Sequence, residues 1–201
     1  MNNIINTRFW KKQSLSQYVH NEDGSLTLFA LFTLGVISAV IHQHLKMGLN
    51  LPGHHGLEWM TVLLFGRMQS RHRWAALMIA SGAASSYMTQ TAFFPLAHAF
   101  TPALVYLING ICLDVLYTVT PRKFPVYLKG PVLGGISFVM KPVLLVPIVM
   151  TLDLSVGSFD KHGYIFPIYT HFAFGTIGGI CGILLAEMAR NGKSKKTGTG
   201  P

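Results

Sequence analysis

Residues 26–41 read LTLFALFTLGVISAVI, sixteen positions without a single charge, following a polar segment that carries Arg8, Lys11 and Lys12. A helix needs roughly 20 mostly apolar residues to cross the hydrocarbon core of a bilayer. With its flanks this run is long enough, and no small-residue cleavage site closes it, so it reads as a retained helix rather than a signal peptide. Five further apolar stretches follow, at 47–65, 74–91, 96–119, 131–152 and 164–188. The expected fold class is therefore all-α, a membrane bundle of about six transmembrane helices. Residues 1–24 form a polar N-terminal segment, 25–189 the helical domain, and 190–201 a basic tail without an apolar face, expected to be disordered.

Composition agrees. The chain is 50% hydrophobic and 11% charged, with a mean hydropathy of +0.42, whereas soluble domains carry about 25% charged residues. A net charge of +9 would suit nucleic acid, but the cations lie in short clusters between apolar runs, so no nucleic-acid partner is expected. Arg8, Lys11 and Lys12 precede the first helix. Arg67, Arg71 and Arg73 lie between the second and third, Arg122, Lys123 and Lys129 between the fourth and fifth, and Arg190, Lys193, Lys195 and Lys196 after the sixth. Alternate connections are thus basic, which by the positive-inside rule puts both termini in the cytoplasm of a cell with this protein in its inner membrane. Lys46 and Lys161 fall on the outer side, and Lys141 falls within the fifth helix. Cys112 and Cys181 sit in apolar stretches and read as packed small residues.

The second apolar stretch is interrupted: Leu51-Pro52-Gly53-His54-His55-Gly56-Leu57-Glu58-Trp59. Proline and two glycines free backbone groups that hydrocarbon cannot satisfy, so such a break is tolerated where it is buried in protein or lines a polar cavity. Broken helices of this kind build substrate sites in transporters. Most of the nine histidines gather at the same, outer, end: His42, His44, His54, His55, His98, His162 and His171, with only His20 and His72 on the inner side. Imidazoles ligate metals and titrate near neutrality. The candidate substrate-binding residues are His54, His55, Glu58, Asn50 and Trp59, with His44, His98 and His171 behind them and Tyr87 as an aromatic wall. His42, His44, His54 and His55 are the candidate metal ligands; no particular cofactor is indicated. Glu58 also has an ordinary structural role, as a carboxylate in the first turn of a helix.

Two ionisable groups lie deep in apolar helices, Asp114 in the fourth and Lys141 in the fifth. Intramembrane charges pair with one another, so Asp114 and Lys141 are expected to form an ion pair. Pro142 and Pro147 are expected to kink or break the fifth helix. Gly35 and Ala39 form a small-xxx-small pair that lets another helix approach closely, and Gly175, Gly178, Gly179 and Gly182 mark the sixth helix for tight packing. No Gly-x-Ser-x-Gly, His-Glu-x-x-His or phosphate-binding Gly-x-x-x-x-Gly-Lys-Ser/Thr motif occurs, so an enzyme is not expected.

The chain resembles the substrate-binding S components of energy-coupling factor (ECF) transporters over most of residues 26–189. The likeness lies in size, six helices, cytoplasmic termini, Gly35-x-x-x-Ala39 on the first helix and the glycine-rich Phe174-Gly175-Thr176-Ile177-Gly178-Gly179. It implies capture of a micronutrient, a vitamin or a metal ion, on the outer side. It also implies docking through Gly35 and Ala39 onto a coupling membrane subunit that works with two ATPases. Members specific for cobalt and nickel bind metal through a histidine directly after the initiating methionine. This chain begins Met1-Asn2-Asn3, so that site does not carry over. The alternatives are a haem- or metal-binding redox membrane protein and a non-catalytic assembly or scaffold protein.

Overall fold

The structure, a computed structural model, describes residues 24–44, 51–91, 97–121, 123–152 and 157–197. It is all-helical: α1 Gly24–His44, α2 Gly56–Gln69, α3 Ala75–Thr91, α4 Ala97–Val119, α5 Val126–Leu152, the short α6 Gly157–His162 and α7 Ile165–Thr197, with no strand among the described residues. Four of these, α1, α4, α5 and α7, are long and apolar enough to cross a membrane. Large apolar side chains along them, such as Phe29, Leu104, Ile136 and Leu184, face outward, as lipid contact requires. Trp74 and Tyr127 stand exposed near one end of the bundle and Tyr164 and Tyr169 near the other, the positions that aromatic side chains take at membrane interfaces.

The two shorter helices form the centre. α2 has 14 residues, about 21 Å at 1.5 Å per residue, and α3 has 17, about 26 Å. Met60, Leu63, Leu64, Ala76, Ile79 and Ala80 on them are fully buried and form one core with Leu31 of α1, Leu113 of α4 and Phe138 of α5. The described part of the second apolar stretch is therefore helical only from Gly56 onward, because residues 51–55 are turns. Gly53 turns the chain with φ at +80°, and its missing side chain matters twice, since a Cβ there would lie 2.8 Å from Nδ1 of His171.

The broadest helix contacts are α5 with α7, α1 with α3, α2 with α7 and α3 with α4. Glycines set the first of these: Gly130 and Gly134 of α5 lie against Gly179 and Gly175 of α7, backbone on backbone. Gly35 of α1 is buried against the backbone of Ile79 and Ala83 on α3, and Ala39, 2% exposed, belongs to the same core. Gly35 and Ala39 thus serve packing within the bundle, the alternative to the expected docking role. The motif does bring a helix close, but the helix is α3 of the same chain, and neither residue is open to a partner.

Three further expectations change. α5 runs as one helix from Val126 to Leu152 through Pro131, Pro142 and Pro147, so the prolines do not break it. α7 continues to Thr197, so the basic tail extends the last helix where irregular chain was expected. Asp114 and Lys141 do not pair. Asp114 Oδ1 lies 2.8 Å from Nε of Arg67 on α2, and its two oxygens accept from the backbone N–H groups of Ala76 (3.2 Å) and Leu77 (2.8 Å). These are first-turn amides of α3, which lack partners within their own helix. Asp114 thus caps α3 from across the bundle. The Arg67 guanidinium stacks over Tyr117 at 4.1 Å and donates to the Ser70 carbonyl at 3.3 Å, and Arg190 of α7 donates to the Met68 carbonyl at 2.8 Å.

Where a glycine faces open space, the same residue type carries the opposite consequence. Nothing lies within 4 Å of a Cβ built at Gly192 in α7. Glycine costs a helix interior about 1 kcal/mol relative to alanine, so Gly192→Ala is expected to raise the melting temperature slightly, read by thermal unfolding in detergent. A lowered one would mean that residue 192 packs against something.

Candidate functional site

Five helices converge on a cavity at the end of the bundle where the 51–55 turn sits. α1 contributes Ser38 and, one helical turn later, His42 in its last turn. The turn contributes His55, and the first turn of α2 contributes Glu58 and Trp59. Pro102, Val105, Tyr106 and Asn109 line it from α4, the three- and four-residue spacing of one helix face. Tyr87 comes from α3, and Phe138 and Lys141, three apart, from α5. The cavity measures about 190 Å³, below the roughly 300–1,000 Å³ of pockets for drug-sized ligands, so a fitting occupant is small.

The polar rim is organised by the break. His42 Nδ1 lies 3.2 Å from Oε2 of Glu58, a hydrogen bond that the ring donates when its proton is at Nδ1. Glu58 is the acidic residue in the first turn of α2, where the helix dipole favours its charge. His55 stands edge-on to His42 (4.1 Å between ring centroids) and against His54 (3.7 Å). It precedes α2 and lies outside the four long apolar spans. Burial first, and then the neighbouring rings of His42 and His54, push its pKa down to about 3, so the ring is neutral at physiological pH. His54 donates from Nδ1 to the Leu51 carbonyl at 2.7 Å, which closes the turn.

The apolar wall is aromatic. Trp59 meets Tyr106 edge to face at 4.6 Å, and Tyr106 in turn approaches Tyr87 at 6.3 Å. Phe138 separates the cavity from His171, on which it stacks at 5.0 Å. His171 donates from Nδ1 to the Pro167 carbonyl at 2.7 Å, and it sits beneath Gly53 rather than on the cavity wall.

The fold thus gathers His55, Glu58, Trp59 and Tyr87 at one cavity, with His54 supporting the rim and His171 behind it. His42, expected only as a metal ligand, is the partner of Glu58. Asn50 lies outside the described residues, as do the side chains of His44 and His98. Among the described residues no group of three or more His, Cys, Asp or Glu is placed to hold a metal ion, so the described members of the expected metal set form no such centre. Asn109, Tyr106, Ser38 and Lys141 complete the wall and were not expected there. The face 102–105–106–109 of α4 was the signal that could have found two of them.

Both amide atoms of Asn109, which is 1% exposed, and the indole Nε1 of Trp59 have no hydrogen-bond partner. Buried polar groups are normally paired, so this wall holds unused bonding capacity. In comparisons with known proteins, no family, no curated protein and no solved structure matches this chain.

Proposed function

We propose that the chain is a substrate-capture membrane subunit of a micronutrient importer, of the type seen in the S components of ECF transporters, which binds one small molecule in the cavity between α1, α2, α3, α4 and α5. The observation that carries this is the cavity itself: a small chamber with an aromatic wall, a polar rim, and buried donors and acceptors left unpaired. Packing alone gives no reason to build such a chamber, since an empty polar cavity costs stability that an apolar filling would recover. Few polar groups placed on a mostly apolar wall are the general pattern of small-molecule sites.

Orientation belongs to the same proposal. Arg67, Arg71, Arg73, Lys123, Lys129 and Arg190 cluster where α2, α4 and α7 end and α3 and α5 begin, and the cavity lies at the opposite end. With that basic end in the cytoplasm, the cavity opens outward and takes its ligand from outside the inner membrane. In this arrangement α2 and α3 complete a six-span bundle whose termini are both cytoplasmic. Separate ATPase subunits supply the energy through a coupling membrane subunit, which docks on a face other than the buried Gly35–Ala39 pair.

The test is affinity purification of the full chain from native membranes in mild detergent, with polypeptides and extracted small molecules identified by mass spectrometry. A near-stoichiometric small molecule is expected, together with two ATPases and a second membrane subunit. Val105→Trp, which fills the cavity from α4, is expected to reduce the small molecule at least tenfold while leaving the polypeptides in place. A single polypeptide carrying no small molecule would reject the proposal.

A further inference from the structure

Lys141 lines the cavity three residues after Phe138, and among the described residues no carboxylate pairs with it. Among the described residues, the one acidic side chain on the cavity wall, Glu58, is engaged by His42. A cation held inside a membrane bundle is expensive unless it is paired, and such residues mark ligand sites. Lys141 is therefore a deep amine with no counter-ion among the described residues, which a bound anion would hold as its ammonium, whereas the deep charge of Asp114 is met by Arg67 and two backbone amides.

The other unused groups on the same wall have matching chemistry. The Trp59 indole can only donate, the Lys141 ammonium can only donate, and the Asn109 amide offers two N–H donors against one carbonyl acceptor. Unsatisfied donors thus outnumber acceptors, which suits an oxygen-rich anion. Around them the surfaces are flat rings, Trp59, Tyr106 and Phe138, which favour a planar, unsaturated body over a branched or sugar-like one.

We propose that the cavity binds a small planar organic carboxylate, with Lys141 as counter-ion to the carboxylate, Asn109 and the Trp59 Nε1–H as additional polar contacts, and the aromatic wall against the ring. This names the ligand class of the capture site and rests on the capture proposal above. Neutral isosteres keep the shape and lose the charge, so they separate the two ideas.

The experiment uses the full chain in nanodiscs of a zwitterionic lipid, titrated calorimetrically at neutral pH with benzoate against benzamide and with indole-3-acetate against indole-3-acetamide. At least one carboxylate is expected to bind tenfold or more tightly than its amide. Lys141→Gln is expected to abolish that preference, Lys141→Arg to retain part of it, and Val105→Trp to abolish binding of both partners. Lys141→Gln removes a buried amine that has no counter-ion among the described residues, so the ligand-free variant is expected to melt at or above the wild-type temperature, which guards against misfolding as the cause. Amides that bind as well as the acids, with Val105→Trp still blocking both, would overturn the carboxylate assignment and leave the capture site standing. Carboxylate binding that survives Val105→Trp would place it elsewhere and overturn the assignment as well. Binding of none of the four compounds would overturn it and withdraw support from the capture site too.

Discussion

Asp114→Leu is expected to destabilise the protein by about 3–5 kcal/mol, the usual cost of removing one partner from a buried ion pair. Asp114 is fully buried and Arg67 6% exposed, so the substitution strands a guanidinium inside the bundle and also uncaps the Ala76 and Leu77 amides of α3. Fluorescence-detected size exclusion after heating reads the effect, as a large loss of monodisperse protein. Asp114→Asn keeps one acceptor for the amides and should fall between. Arg67→Leu combined with Asp114→Leu removes both charges, and is expected to be less damaging than the two single effects added together by roughly 2 kcal/mol, within the range for directly coupled residues. Additive effects would mean that the two side chains do not act on one another. An unchanged melting temperature in Asp114→Leu would remove the tie from the structure altogether.

The same pair shows what was legible in the sequence and what was not. All the long helices were readable from apolar runs, because in lipid the backbone must bond to itself and only length and polarity remain to be judged. Which charges meet depends on height in the bundle, and this was missed. Asp114 lies five residues from the end of α4 and Lys141 fifteen from the start of α5, at the same end of the bundle. At 1.5 Å per residue their levels differ by about 15 Å, too far for a side-chain contact, whereas Arg67 lies two residues from the end of α2 at the level of Asp114. Counting along the helices, rather than matching opposite charges, identifies the true partner.

The candidate site was half legible for a related reason. Pro52-Gly53-His54-His55-Gly56 announces a break, and a break near an end of the bundle points to the residues beside it, so His55, Glu58 and Trp59 could be named. Asn109, Lys141 and Tyr106 come from helices remote in sequence, and nothing local distinguishes an inward asparagine from an outward one. Small-residue pairs carry a similar ambiguity. Gly35 and Ala39 announce close approach of a second helix, but the pattern does not say whether that helix belongs to the same chain, and here it is α3.

Gly179→Leu is expected to be nearly as damaging as loss of Asp114, by roughly 3 kcal/mol, at the upper end for overpacking a tight interior. Gly130 and Gly134 on α5 and Gly175 and Gly179 on α7 are each four apart, so each pair occupies one helix face, and the faces meet. A Cβ at Gly175 would lie 2.6 Å from the Gly134 carbonyl oxygen, and one at Gly179 would strike the Gly130 carbonyl directly. Backbone atoms cannot rotate aside as a side chain can, so α5 and α7 must separate. These helices make the broadest contact in the molecule, and α5 also carries Phe138 and Lys141 to the cavity. Gly179→Leu should therefore lower both folded yield and the binding of any cavity ligand, while Ile177→Leu, a similar volume two residues away on the exposed face, should leave both unchanged. Gly179→Ala, adding only the one carbon that meets the Gly130 carbonyl, should give an intermediate loss in the same melting assay. Equal stability of Gly179→Leu and Ile177→Leu would mean that α5 and α7 are not in backbone contact, and the position of Lys141 over the cavity would then have no support from α7.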